Sequence, residues 1–245
     1  MTTDLQRDLP TYHHPIIRRP AILVVAKAPE PGAVKTRLCP PLSPEEAAQL
    51  LRACLQDLWA RLGRLPRVRR ILCYHPPGSA DRFRDLLGRE TDLLAQSEGD
   101  LGLRLTAAFE SVFSRGLGPV LALGADSPDL PLEIMAQALD ALRAGQCDVA
   151  LGPAADGGYT LIGLHRPHPE LFDAIPWSTS GVFSNTLERC RQAGLQVLTL
   201  PEWYDVDDAA SLARLREHVL AHPDDLPHLR QWLRGWKACG AMWER

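Results

Sequence analysis

Six short runs rich in Val, Ile and Leu recur along the 245 residues, and the segments between them carry helical rather than alternating periodicity. The runs are AILVVA (21–26), VRRILCY (68–74), PVLALGA (119–125), DVALGP (148–153), YTLIGL (159–164) and LQVLTL (195–200). A strand that is apolar on both faces must be covered on both faces, and helices long enough to cross back between strands make neighbouring strands parallel. The order of elements therefore predicts an α/β fold with one mostly parallel sheet flanked by helices. A chain of this length buries a sufficient core without covalent staples. Its 45% hydrophobic and 23% charged content is that of an ordinary globular protein. The expected organisation is a flexible lead-in over 1–20, one α/β domain over 21–220 and a helical tail over 221–245.

The clearest helix start is SPEE at 43–46, where Ser43 caps, Pro44 takes the first helical position and Glu46 completes a capping box. Leu50, Leu51, Cys54, Leu55, Leu58 and Leu62 then form one stripe for packing on the sheet. Further helices are expected after EGDLGLRL (98–105), from Pro131 with Asp129 starting it, and from Val182 to a Gly194 C-cap. Two more follow in DDAASLARLREHVL and DDLPHLRQWLRGW, with Trp232 and Trp236 as packing anchors.

Composition excludes several classes. A net charge of -3 is wrong for a surface that coats nucleic acid, so any anion is bound locally. Cys39, Cys54, Cys73, Cys147, Cys190 and Cys239 have neither CxxC nor zinc-finger spacing and read as reduced thiols. The first twenty residues carry charges and prolines where a signal peptide needs an apolar run, and no window approaches the ~20 apolar residues of a membrane span. His13 and His14 lie in that lead-in and are expected to be solvated. A cytoplasmic location is the expectation.

Ligands of open α/β sheets bind beyond the carboxyl ends of the strands. There, KAPEPGAVKTRL brings Lys27, Lys35 and Arg37 together around Gly32, a set suited to a polyphosphate. It is not a P-loop, because Val34 stands where GxxxxGK[ST] needs glycine. Asp126, at the end of LALGAD, is a hard oxygen ligand suited to Mg²⁺ or Mn²⁺. In YDVDD, Asp205 and Asp207 share one face of an extended segment and Asp208 suits a helix cap; Asp207 is preferred to Asp205 as the second ligand. Asp156, Gly157 and Gly158 form a turn signal that reads equally as a plain hairpin or as part of an acceptor site with Tyr159, Trp177, Ser178, Thr179 and Ser180. Gln96, with the amides around Gly99 and Gly102, is a candidate reader of a nucleobase edge, and the helix start there a candidate anion site.

Taken in order, KAPEPGAVKTRL, QSEGDLGLRL, LGADSPDLP, GPAADGGYTLIGL, PWSTSGVF and DVDDAASL resemble the DUF2064 family of GT-A-fold transferases, related to arsenosugar-biosynthesis-type and radical-SAM-associated glycosyltransferases. More distantly the chain is similar to molybdenum cofactor and phospholactate guanylyltransferases. The resemblance spans about 20–215. It implies a Rossmann-like GT-A domain binding a nucleotide with a divalent cation, with Lys27, Gly32, Lys35 and Arg37 at the phosphates, Asp126 at the metal and Asp207 as its second ligand. A DxD motif is absent, since Ser127 and Pro128 follow Asp126. Three functions are open: glycosyl transfer from a nucleoside diphosphate sugar to a small acceptor, with Lys35 steadying the leaving diphosphate and Asp156 orienting or deprotonating the acceptor; nucleotidyl transfer from a nucleoside triphosphate with release of pyrophosphate; and a nucleotide-binding module without catalysis. Oligomer formation is compatible with the tryptophan-bearing tail.

Overall fold

The computed structural model describes residues 18–236. The lead-in as far as residue 17, with His13 and His14, and the tail from 237, with Cys239, lie outside the described residues.

Seven strands form one sheet in the order β3-β2-β1-β4-β6-β5-β7. They are β1 (Ala21–Lys27), β2 (Arg69–His75), β3 (Leu93–Ala95), β4 (Val120–Gly124), β5 (Val149–Pro153), β6 (Tyr159–Leu164) and β7 (Val197–Thr199). β3, β2, β1 and β4 run parallel, β6 runs antiparallel to both β4 and β5, and β7 is parallel to β5. β6 alone is therefore reversed. The helices are α1 (Pro44–Leu62), α2 (Ala80–Leu87), α3 (Leu101–Ser114), α4 (Leu132–Arg143), α5 (Val182–Gln192), α6 (Ala209–Ala221) and α7 (Pro227–Gly235).

Two elements escape the sequence reading. β3 is a three-residue edge strand bonded only to β2, too short to show a period, and α2 is eight residues between loops. The last apolar run shrinks for the same edge reason, from six residues to Val197–Thr199.

Alternation along β1 divides the core. Ile22, Val24 and Ala26 face α1, α2 and α4, whereas Ala21 and Leu23 face α3 and α5. The single stripe expected on α1 is in fact two. Leu51, Leu55, Leu58 and Leu62 pack on the sheet, but Leu50 and Cys54 face the other way, into a third cluster with α6 and α7. A helix covered by a second layer of helices can be apolar nearly all round. The capping box holds, with Ser43 Oγ accepting from the Glu46 amide at 3.2 Å and Glu46 Oε2 accepting from the Ser43 amide at 2.8 Å. Burial pushes the thiols of Cys54 and Cys73 up to about 12 and that of Cys190 to about 11, so these cysteines are packing groups. Among the described residues no helix is long and apolar enough to cross a membrane.

Candidate nucleotide site

The parallel strands β1 and β4 end side by side, and the chain leaving each one lines a cleft of about 470 Å³. Lys27, Lys35 and Arg37 from the first loop, Asp126 from the end of β4, and Asp205 and Asp207 from the segment before α6 all border it. The loop turns at Gly32, whose φ of +77° lies in the left-handed region and whose missing side chain leaves open space. Lys35 is itself left-handed, at φ 49° and ψ 33°, and begins the 3₁₀ turn Thr36–Leu38. A non-glycine residue in that region is held there by its surroundings.

What holds it is the ammonium. Lys35 Nζ donates to Val206 O at 2.7 Å, ion-pairs with Asp207 Oδ1 at 3.1 Å, and ion-pairs with Asp126 Oδ1. Its side chain is 2% exposed, whereas the side chains of Asp126 and Asp207 are 44% and 42% exposed. Burial by itself would lower the ammonium's pKa, but the two carboxylates outweigh it and hold the pKa raised, so Lys35 is charged at all ordinary pH. Arg37 reaches Asp207 only at 3.9 Å with its side chain 76% exposed, so its guanidinium is available to a ligand. Lys27 is exposed at the end of β1.

The acidic segment is brought alongside β4 by LGADSPDLP. The Val206 amide donates to Asp126 O at 2.9 Å, and Ser127 Oγ donates to Asp205 Oδ1 at 2.5 Å. Asp129, expected to start α4, does something else. It is 1% exposed and accepts from Tyr204 OH at 2.5 Å and Trp203 Nε1 at 3.2 Å, while Pro131 stands at the N-cap of α4 without a side-chain bond. Both carboxylates of the motif therefore act on the 203–207 segment, Asp126 through Lys35 and Asp129 through two aromatic donors. Burial, then Asp126 and Asp207, push the Asp205 carboxyl up to about 6, with the Ser127 hydroxyl opposing. Asp208 caps α6, accepting from the Ser211 amide at 2.8 Å.

Asp126 and Asp207 fit a hard divalent cation. Both side chains are about half exposed, both border the cleft, and both reach the same ammonium. Among the described residues no group of three or more His, Cys, Asp or Glu is placed to hold a metal. The pair would thus hold Mg²⁺ or Mn²⁺ only with oxygens added by water and a ligand, which is the usual manner of Mg²⁺ with nucleotide phosphates.

Other candidates are placed differently. Gln96 borders the cleft, but its Nε2 donates to Cys73 O at 2.9 Å and Ala26 O at 3.4 Å, so its amide donors tie β1 to β2. Gly102 lies inside α3, where a Cβ would meet Phe172 O at 2.5 Å; it is there for close packing. The start of α3 is already capped by Asp100, which accepts from the Leu103 amide at 2.9 Å, and the carbonyl of Gly99 accepts from Arg104 Nε at 2.8 Å. Arg104 itself borders the cleft. In QSEGDLGLRL nothing but its place in the fold distinguishes this arginine from any helix-surface cation.

Of the acceptor candidates, only Tyr159 borders the cleft, together with Thr160. The Tyr159 hydroxyl is buried with no hydrogen-bond partner, burial raises its pKa, and its ring meets Trp177 edge-on at 6.4 Å. Asp156 Oδ1 accepts from the Gly158 amide at 2.9 Å, and Thr179 Oγ1 donates to Pro176 O at 2.7 Å, both local turn bonds. Gly157, at φ +88°, lies so close to Ser180 that no side chain fits there. The turn and the Trp177–Ser180 loop thus pack on one another beside the cleft; Trp177, Ser178 and Thr179 do not line it.

The profile of a bacterial family described as "Uncharacterized protein conserved in bacteria (DUF2064)" matches residues 49–179, just over half of the chain. The chain belongs to this family. The match takes in Gln96, Asp126 and Asp156; the cationic loop and the 205–207 acids lie to either side. A solved structure from Desulfovibrio desulfuricans G20, provisionally described as a nucleotide-diphospho-sugar transferase, is 35% identical, with 88% of this DUF2064 member and 98% of that chain covered at a TM-score of 0.78. CMP:2-keto-3-deoxy-manno-octonic acid synthetase, solved with CTP, is 13% identical over 83% and 99% of the two chains at 0.55. The 4-diphosphocytidyl-2C-methyl-D-erythritol synthase of Anaerococcus prevotii DSM 20548 is 10% identical over 89% and 96% at 0.51. At those identities the last two show the shared fold alone. No protein in the curated set matches the sequence.

Proposed function

We propose that this DUF2064 member is a divalent-metal-dependent transferase that uses an activated nucleotide, taking a nucleoside diphosphate sugar and passing the sugar to a small acceptor. The observation that carries the reading is the meeting of three cations from one loop with carboxylates from two other segments around a single cleft, at the carboxyl ends of β1 and β4. The description of the 35% identical relative supports the sugar donor. At about 470 Å³ the cleft lies in the range of small-molecule sites.

In this reading Lys27 and Arg37 bind the diphosphate, a point charge and a planar fork aimed at oxygens that gain charge as the bond to the sugar breaks. Asp126 and Asp207 would hold the cation, which when bound neutralises charge on the departing diphosphate. Leu101, Leu105 and Val25 supply apolar wall, and Arg104 adds a further cation to the lining. Tyr159 and Thr160, on β6, mark the acceptor side; Asp156 would join them only if the turn opens toward the cleft.

Nucleotidyl transfer is the second reading, favoured by the density of positive charge in the first loop, which suits a triphosphate losing pyrophosphate. Incubation with Mg²⁺ or Mn²⁺ and, separately, nucleotide sugars and nucleoside triphosphates over a panel of acceptors decides between them. Nucleoside diphosphate release is the expected result. Pyrophosphate release selects the second reading, and binding without turnover across the panel selects a non-catalytic module.

A further inference from the structure

The Lys35 ammonium has three N–H groups, and all three are committed: to Asp126, to Asp207 and to Val206 O. None is left for a phosphate while this arrangement stands. The ammonium meets Oδ1 of each aspartate and is almost fully buried, while the two carboxylates bordering the cleft remain about half exposed. A divalent cation bonded to those same oxygens would stand within a few ångströms of the ammonium, and two cations at that separation repel strongly even with partial solvent screening. The third carboxylate bordering the cleft, Asp205, has one oxygen engaged by the Ser127 hydroxyl, so Asp126 and Asp207 are the two that meet the ammonium directly.

Resting on the reading of Asp126 and Asp207 as the cation-holding pair, we propose that the Lys35 ammonium is an exchangeable occupant of the cation site. The divalent cation and Lys35 exclude one another there, so the cation enters together with nucleotide phosphates, and Lys35 passes from the carboxylates to those phosphates. Lys35 is thus a placeholder that keeps two like charges in position before the ligand arrives, and becomes a phosphate contact afterwards. The left-handed backbone at Lys35, next to a loop that turns at Gly32, places the pivot where the side chain must swing. The exchange replaces one ammonium by one divalent cation and so leaves one more positive charge at the two carboxylates, which the incoming phosphates answer.

The test is Mn²⁺ binding to the intact protein without nucleotide, read from the electron paramagnetic resonance signal of free Mn²⁺. Lys35→Met is expected to bind Mn²⁺ at least about tenfold more tightly than wild type, since it removes a competing positive charge and leaves both carboxylates. Equal or weaker binding overturns the exchange. Adding Asp126→Asn to Lys35→Met should abolish the gain, and a gain that survives it also overturns the proposal. If Lys35→Met fails to fold, Lys35→Gln, which keeps an N–H for Val206 O, is read in the same way. The two readings fail separately. Metal-dependent wild-type turnover with no gain in the Lys35 variants removes the exchange and leaves the transferase; wild type that binds no Mn²⁺ even with GTP or a nucleotide sugar removes the metal-dependent transferase itself.

Discussion

Two ionic clusters join residues almost equally far apart in the chain, yet they are built in opposite ways. Lys35 reaches Asp207 across 172 positions, and Asp57 reaches His228 across 171. In the first, one buried cation faces two carboxylates that remain about half exposed to the cleft. In the second, one carboxylate with no exposure at all, on α1, accepts from the His228 and Leu229 amides at 3.0 and 2.8 Å and meets His228 Nδ1 at 2.7 Å. Asp57 spends its oxygens on the first turn of α7, where orphan amides and the helix dipole welcome a negative charge. The Asp57 carboxylate is closed off from solvent, and its oxygens are taken up by α7. The Lys35 cluster is open on its acidic side, and unspent acceptors facing a cleft are what a ligand needs.

The difference is sharpest under substitution. Asp126→Asn should lower turnover by at least about 100-fold, equivalent to roughly 2.7 kcal/mol of barrier, in a protein that still folds because Asp207 and Val206 O continue to hold the Lys35 ammonium. Near-normal turnover in that variant would make the open cluster as structural as the closed one. Asp57→Ala should do the reverse, removing about 2 kcal/mol of stability by denaturant titration because buried amides of α7 lose their acceptor. Its turnover per folded molecule should stay within about twofold of wild type; a large catalytic loss would erase the distinction.

A pH test probes the open cluster from its buried edge. The Asp205 carboxyl is raised from 3.8 to about 6 in the folded protein, so its contribution is fully present below pH 4 and is lost as pH rises through 6. With chelator present, Asp205→Asn should gain about 1–2 kcal/mol on wild type between pH 4 and 7, after discounting for partial exposure. A flat difference between the two proteins over that window would contradict the burial of this charge. The smallest effect belongs to a cap remote from both clusters: Ser43→Ala should cost about 1 kcal/mol of stability with no change in turnover.

Local rules were legible because neighbours in sequence carry them. The Ser43 box, the Asp208 cap and the apolar strands each need only a few consecutive residues. Asp129 was misread because its position before Pro131 fits a cap, whereas its partners, Tyr204 and Trp203, are 75 and 74 residues away. Gln96 does border the cleft, but that its amide donors are drawn to the ends of β1 and β2 is likewise set by distant residues. Arg104 and Ser127 were overlooked because neither residue type stands out until the fold sets one beside the cleft and the other beside Asp205.

By itself the sequence determined the alternation of strand and helix, the cation-rich loop beyond the first strand and the acids beyond the third apolar run and before α6, since each is written in a contiguous segment. It could not determine that Lys35 would turn inward while Lys27 and Arg37 stay outside, that α1 would be buried on two sides, or that the acceptor candidates beyond Tyr159 would pack on their own turn. Those outcomes depend on which distant groups share a volume. Coulomb attraction and desolvation act over ångströms, and only the folded chain brings residues some 170 positions apart to that range.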